Sequence, residues 1–169
     1  MHTRRIGLLA LALAIATLLQ FTMGSRLMLF SARPDLVLLL VVTNSVARGA
    51  EEGLLGGLLG GLMVDVLSIV PFGTATVSMG LIGVATGLGE ANLYRANAIV
   101  PLVAVFLATV FYHSIIMLVL QGAGWKVEWI GTLALQTIPG ACLNAVLALL
   151  AQPLLHRVLY SRSVAEQFR

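Results

Sequence analysis

Charge is confined to a few short stations along this chain, and long apolar runs lie between them. From Ile6 to Ser25 there is no charged side chain, and from Gly53 to Gly89 the only one is Asp65. A water-soluble domain carries roughly 25% charged residues. Here the share is 10%, against 59% hydrophobic residues and a mean hydropathy of +1.01. The solvent of such a chain is lipid, where unpaired backbone groups are forbidden and helices are the natural spanning unit. A spanning helix takes about 20 residues, so the 169 residues accommodate about six, with no long loop left to hold a water-soluble active site.

The stations divide the chain into spans at about 6–25, 34–49, 53–70, 72–89, 96–120 and 129–155, followed by a basic tail at 156–169. The expected fold is therefore all-α, a single polytopic transmembrane domain of six helices covering residues 1–169. The first run, behind Arg4 and Arg5, also has the outline of a signal peptide. Its apolar stretch exceeds the usual length of such a signal, and further spans follow, so it is expected to be a retained helix. The second run is short. Its uncharged part, Leu36 to Ala47, rises only about 18 Å as a helix, against a hydrocarbon core of about 30 Å. It spans either by drawing in Pro34, Asp35, Arg48 and Gly49 at its ends or by packing inside protein.

Basic residues place the termini. With the N-terminus inside, Arg4, Arg5, Arg48, Arg95, Arg157, Arg162 and Arg169 fall on the cytoplasmic side, and Arg26, Arg33 and Lys126 outside. This bias favours an N-in, C-in topology, and it puts Trp125 and Trp129 at the outer interface. The net charge of +3 and pI near 9.6 are explained by this topology. No basic run with interleaved aromatic residues suggests nucleic-acid binding. Cys142 is the only cysteine, so neither an intrachain disulfide nor a Cys/His zinc site is expected.

Within the third span, Gly53, Gly56, Gly57, Gly60 and Gly61 crowd into about two and a half helical turns. At about 100° per residue, Gly53, Gly57 and Gly60 share a face, with Gly56 and Gly61 at its margins. In lipid, apolar side chains gain little by leaving hydrocarbon for one another. Helices associate instead by close approach, which glycine permits. The stripe is expected to pack against another helix, of this chain or of a partner. Asp65 lies about 40° around the helix from Gly61 and one turn before Ser68. An intramembrane carboxylate is costly, and the C-terminal end of a helix disfavours negative charge. Either Asp65 is solvated at the outer interface, or it accepts hydrogen bonds from a loop or partner and holds the turn Ser68, Ile69, Val70, Pro71, Phe72, Gly73.

Asn44, His113, Gln136, Asn144 and Gln152 are the other polar residues of note in the spans. Asn144 and Gln136 read as interhelical hydrogen-bond donors. His113 reads as bonded to a backbone carbonyl or hydroxyl rather than as a proton relay. The small residues Ala10, Ala12, Ala14 and Ala16 mark a close helix contact on the first span. The tail from His156 reads as resting on anionic lipid heads. No P-loop, zincin or nucleophile-elbow motif is present, and no second carboxylate stands near Asp65 for acid–base work. A binding or scaffold role is expected, with no cofactor and no metal.

The stretch from Pro34 and Asp35 through "LVLLLVV", the Arg-Gly turn and "GLLGGLLGGLMVDVLSIVPFG" resembles the MreD family of rod shape-determining proteins. The resemblance implies a non-enzymatic subunit of the bacterial elongation machinery, multi-pass in the cytoplasmic membrane. It implies binding to the bitopic protein MreC and links to a RodA-type transglycosylase and an elongation penicillin-binding protein. A homo-oligomer is compatible with it. The MreD family is itself similar to the six-helix substrate-binding subunits of energy-coupling-factor vitamin transporters, so such a vitamin binder is the alternative. That alternative needs an outward pocket of converging polar and aromatic groups, and only the loop "QGAGWKVEW" is rich in them. A proton-coupled transporter using Asp65 and His113 is a third reading.

Overall fold

The computed structural model describes residues 2–23, 34–89 and 99–160, and its regular structure is helical throughout. Six helices stand among the described residues: α1 (His2–Met23), α2 (Leu36–Arg48), α3 (Ala50–Leu67), α4 (Thr74–Gly87), α5 (Ile99–Gly122) and α6. The last runs as Trp129–Thr132, a π-helical turn Leu133–Thr137, and Ile138–Tyr160. Two stretches, Ile99–Gly122 and Trp129–Leu150, are long and apolar enough to cross a membrane, and Ile6–Thr22, Leu36–Arg48 and Thr74–Gly87 are shorter apolar helices. Arg26, Arg33, Arg95 and the tail beyond Tyr160 lie outside the described residues.

A single residue separates α2 from α3. Gly49 sits at φ 96° and ψ 179°, a backbone conformation open essentially to glycine alone. Its N–H closes α2 on the Ser45 carbonyl at 2.7 Å, and its own carbonyl accepts the Gly53 N–H at 3.0 Å. The corner is bridged by an Arg48–Glu52 ion pair at 3.1 Å. Glu51 and Glu52 occupy the first turn of α3, where the helix dipole favours acid. The next corner is longer. α3 stops at Leu67 because Ser68 turns extended, at φ −92° and ψ 152°. Gly73 then takes a left-handed φ of 94° before α4 begins. Phe72 and Gly73, expected inside the fourth span, therefore belong to the turn.

α2 is the centre of the bundle. Val37, Leu38, Val41 and Val42 are completely buried, and α2 touches each of the other five helices. Thirteen residues rise only about 20 Å, yet a short helix is tolerated here because its surroundings are protein rather than lipid. The outer surface is as apolar as the core: Leu11, Leu18, Val66, Val77, Leu107 and Leu150 are all more than half exposed. That distribution suits hydrocarbon as the surrounding solvent.

α3 and α4 make the most extensive helix contact, and it is a contact of backbones. A Cβ on Gly53 would overlap the Gly83 carbonyl, one on Gly57 the Met79 carbonyl, and one on Gly61 would come within 2.5 Å of Thr76 Cα. From the other side, a Cβ on Gly83 would overlap the Gly53 carbonyl and one on Gly87 would meet Ala50. Ser45 of α2 donates its hydroxyl to the Gly83 carbonyl in the same seam. The single glycine face expected from the sequence is thus two faces, about 80° apart at 100° per residue. Gly53, Gly57 and Gly61 seat α4, whereas Gly56 meets Leu9 and Asn44, and Gly60 meets Val37, Val41 and Leu13. The occupants of the stripe are this chain's own helices.

The two faces are distinguishable by substitution. Gly57→Ala forces two backbones apart and is expected to destabilise by about 2 kcal/mol or more, as overpacking does. Gly56→Ala would place its Cβ 3.6 Å from side-chain atoms only, and should change stability by less than about 1 kcal/mol. Reversible unfolding by denaturing detergent in mixed micelles measures both; equal losses would contradict the two-face assignment.

Candidate functional site

Asp65 is the most densely bonded polar side chain among the described residues. It is only 3% exposed, close to the end of α3. Its Oδ1 accepts the Ala75 N–H at 2.9 Å. Its Oδ2 accepts the N–H groups of Gly73 at 3.0 Å and Thr76 at 2.9 Å, and the Thr76 hydroxyl at 2.6 Å. These donors are the first-turn groups that every helix leaves without an internal partner. A serine or aspartate just before the helix ordinarily takes them, but that position in α4 is Gly73, which has no side chain to offer. Asp65 supplies the cap from the preceding helix. The remaining first-turn N–H, that of Thr74, goes to the Pro71 carbonyl at 3.2 Å, so the accounting closes.

The electrostatics follow. The end of α3 disfavours the carboxylate, but the beginning of α4 points its positive end at it, with four donors in contact. Among the described residues no cationic side chain pairs with it. The turn is tied down at several points besides. Ser68 Oγ accepts the Val70 N–H at 3.1 Å, and the Thr74 hydroxyl donates to the Pro71 carbonyl at 2.6 Å. Phe72 is 70% exposed and Ile69 87%, so these two apolar side chains face outward while the Gly73 N–H faces Asp65.

A second buried polar cluster gathers where α2 begins. Asp35 caps its own helix, its Oδ1 accepting the Leu38 N–H at 3.0 Å. The Asp35 N–H donates to Asn144 Oδ1 at 2.9 Å, and the Asn144 amide donates to Thr109 Oγ1 at 3.2 Å. Gln20 of α1 accepts the Val37 N–H at 3.2 Å. Pro34, half-buried, immediately precedes this cluster. Asn144 is thus an interhelical bridge, while Gln136 lies on the exposed side of α6, contrary to the expectation that it would donate between helices. The side chain of Gln152 is outside the description. His113 Nδ1 lies 3.0 Å from the Thr109 carbonyl; a carbonyl only accepts, so that nitrogen carries the proton. Its ring meets Tyr112 edge-on at 5.6 Å.

The structure does not bring Pro34 and Asp35 together with the Asp65 turn; they serve the first turns of two different helices. Thr76, Ser45, Gln20 and Thr109 were missed from the sequence. Only Thr76 carried a signal, since a threonine three residues after a turn glycine stands where first-turn donors need a partner. Neither cluster sets a nucleophile against a base. Both do one thing chemically: they satisfy backbone N–H groups at helix beginnings inside the bundle.

The Asp65 cap makes a graded prediction. Asp65→Leu leaves one buried N–H, two half-buried N–H groups and a half-buried hydroxyl without acceptors, and at up to about 1–3 kcal/mol per unsatisfied group should be severely destabilising. Asp65→Asn retains one acceptor oxygen and turns an amide donor toward the other N–H groups, so its loss should be intermediate. Unfolding in mixed micelles ranks the variants, and equal losses would show that the charge rather than the acceptor count is what α4 requires.

No curated protein and no solved structure matches the chain. The family model described as rod shape-determining protein MreD matches residues 3–162. That span includes both clusters, the glycine seam and all but the first residue of the described helices. The chain therefore belongs to the MreD family of polytopic membrane proteins, which are non-enzymatic and take part in determining rod shape.

Proposed function

We propose that this protein is a membrane scaffold of the cell-elongation complex. It docks the bitopic protein MreC and, directly or through MreC, a RodA-type transglycosylase and an elongation penicillin-binding protein. The observation that carries the reading is the state of Asp65. The carboxylate that a transporter would use for coupling already meets four donors of α4, which is an architectural use. His113 is likewise engaged with its own helix. The glycine stripe is filled by α4, α2 and α1, so MreC docks on another surface. Family membership implies association with the elongation machinery and supports the same reading over a vitamin-binding subunit.

The topology that goes with this function is N-in and C-in, in the bacterial cytoplasmic membrane. The Arg48–Glu52 corner lies at the inner face. At the outer face, Trp129 donates its indole N–H to Gln121 at 2.7 Å, and Trp125 is 57% exposed, as interfacial indoles are.

Two experiments test these statements. A tagged chain extracted from its native membrane in mild detergent should bring down MreC; a pair of ATPases with a coupling membrane subunit would replace the scaffold reading by the transporter one. On a Cys142→Ser background, Lys126→Cys should react with an impermeant maleimide in intact cells and Glu51→Cys only after permeabilisation. The opposite pattern would invert the topology.

A further inference from the structure

The ring of helices around α2 is open at one place. α1 packs on α3, α3 on α4, α4 on α5 and α5 on α6, and all five pack on α2. Among the described residues, α6 and α1 make no comparable contact with each other. With roughly 8–10 Å between the axes of packed helices, a central helix has room for six equal neighbours, about 60° apart. α2 has five.

The surface of α2 marks the opening. Val41 meets Gly60 of α3, and Ser45, about 40° further round, bonds Gly83 of α4. Continuing round in the same sense passes Leu38, Val42 and Leu39, all buried, on the side where α5 and α6 pack. Next come Leu36, Leu40, Thr43 and Ala47, which lie within about 60° of one another on the far side of α2 from Val41 and Ser45. All four are half-buried. The edges of the gap follow from the same winding. Leu9 and Leu13 of α1 meet α3, and Ala12 and Leu19 lie about 100° round from Leu13 towards the gap. On α6, Asn144 bonds α2 and α5, and Leu147 lies about 60° from it on the gap side. Ala12 and Leu147 are half-buried, and Leu19 is exposed.

The gap is one helix wide and follows α2 for about 17 Å, from Leu36 to Ala47. Its floor is apolar, because the Thr43 hydroxyl is already donated to the Leu39 carbonyl at 2.7 Å. This chain has no span left to fill it. The internal and C-terminal segments outside the description are 24–33, 90–98 and 161–169, ten residues at most, where a span takes about 20. A protein with several spans would bring further helices into collision with α1 and α6, so the width of the gap selects a partner with one.

We infer that a single apolar transmembrane helix of another protein completes the ring, lying on Leu36, Leu40 and Thr43 between α1 and α6. The inference rests on the scaffold reading above, whose partner is bitopic and brings one such helix. The occupant meets α2, the helix against which every other helix of the bundle packs, and close apposition rather than charge holds it there.

Photo-crosslinking of the full-length, tagged chain in its native membrane tests this. A benzophenone amino acid replaces Leu19 or Leu147 at the edges of the gap, or Val77 or Leu81, exposed on α4, as controls. Leu19 and Leu147 should each give an adduct with the same single-span protein, and Val77 and Leu81 should not. Ala12→Phe, which fills the gap, should lower the co-purified partner about tenfold, as overpacking of a close contact does, whereas Val77→Phe should leave it unchanged. Unfolding in mixed micelles checks that Ala12→Phe still folds. If the bitopic protein co-purified but its adducts came from Val77 or Leu81, the gap would be the wrong surface while the scaffold reading stood. Adducts of Leu19 and Leu147 with lipid alone, or with a second copy of this chain, would likewise overturn the assignment. A bitopic protein missing from the extract altogether would overturn both readings.

Discussion

Contact between the backbones of α3 and α4 sets the terms for everything around it. In lipid there is no gain from hiding apolar side chains, so helices hold together by dispersion at short range and by hydrogen bonds. Gly53, Gly57 and Gly61 on one side, with Gly83 and Gly87 on the other, remove the atoms that would keep the helices apart. The cost falls on the turn. Two helices this close leave the beginning of α4 buried, and a buried N–H without an acceptor is costly. Asp65 meets that demand from within α3, and the left-handed Gly73 lets the chain curl back over the carboxylate.

With α3 and α4 joined, α2 can be short. It packs against each of the other five helices, so it does not have to match the bilayer on its own. Its first turn, buried between α1, α5 and α6, repeats the solution used by α4: a carboxylate caps it and polar side chains from other helices complete it. Both buried aspartates are thereby explained by the needs of helix beginnings. That architectural use of the carboxylates agrees with the non-enzymatic, shape-determining role of the family.

How much of this was legible depended on whether a residue's constraint is local. The all-α class, six helices and the Arg-Gly corner could be read from the chain, because hydrophobic length and charge placement act within one or two turns; the Asp35 cap was seen only in the structure. The glycines announced a close contact, but not with what: a stripe of small residues specifies that a backbone can approach, and leaves open which one. Only the tertiary structure decided that α4 fills one face and α1 and α2 the other, because the two sets differ by less than a quarter turn around the helix. Asp65 was legible as a misfit and not as a cap. Its donors lie eight to eleven residues on, beyond the reach of capping rules, and they meet it only when the chain reverses. Thr109 and Asn144, 35 residues apart, bear no local mark at all. Sequence determined which segments are helical and where their polar groups had to be satisfied; packing determined the partners, because in a bundle a hydrogen bond is chosen by proximity in space.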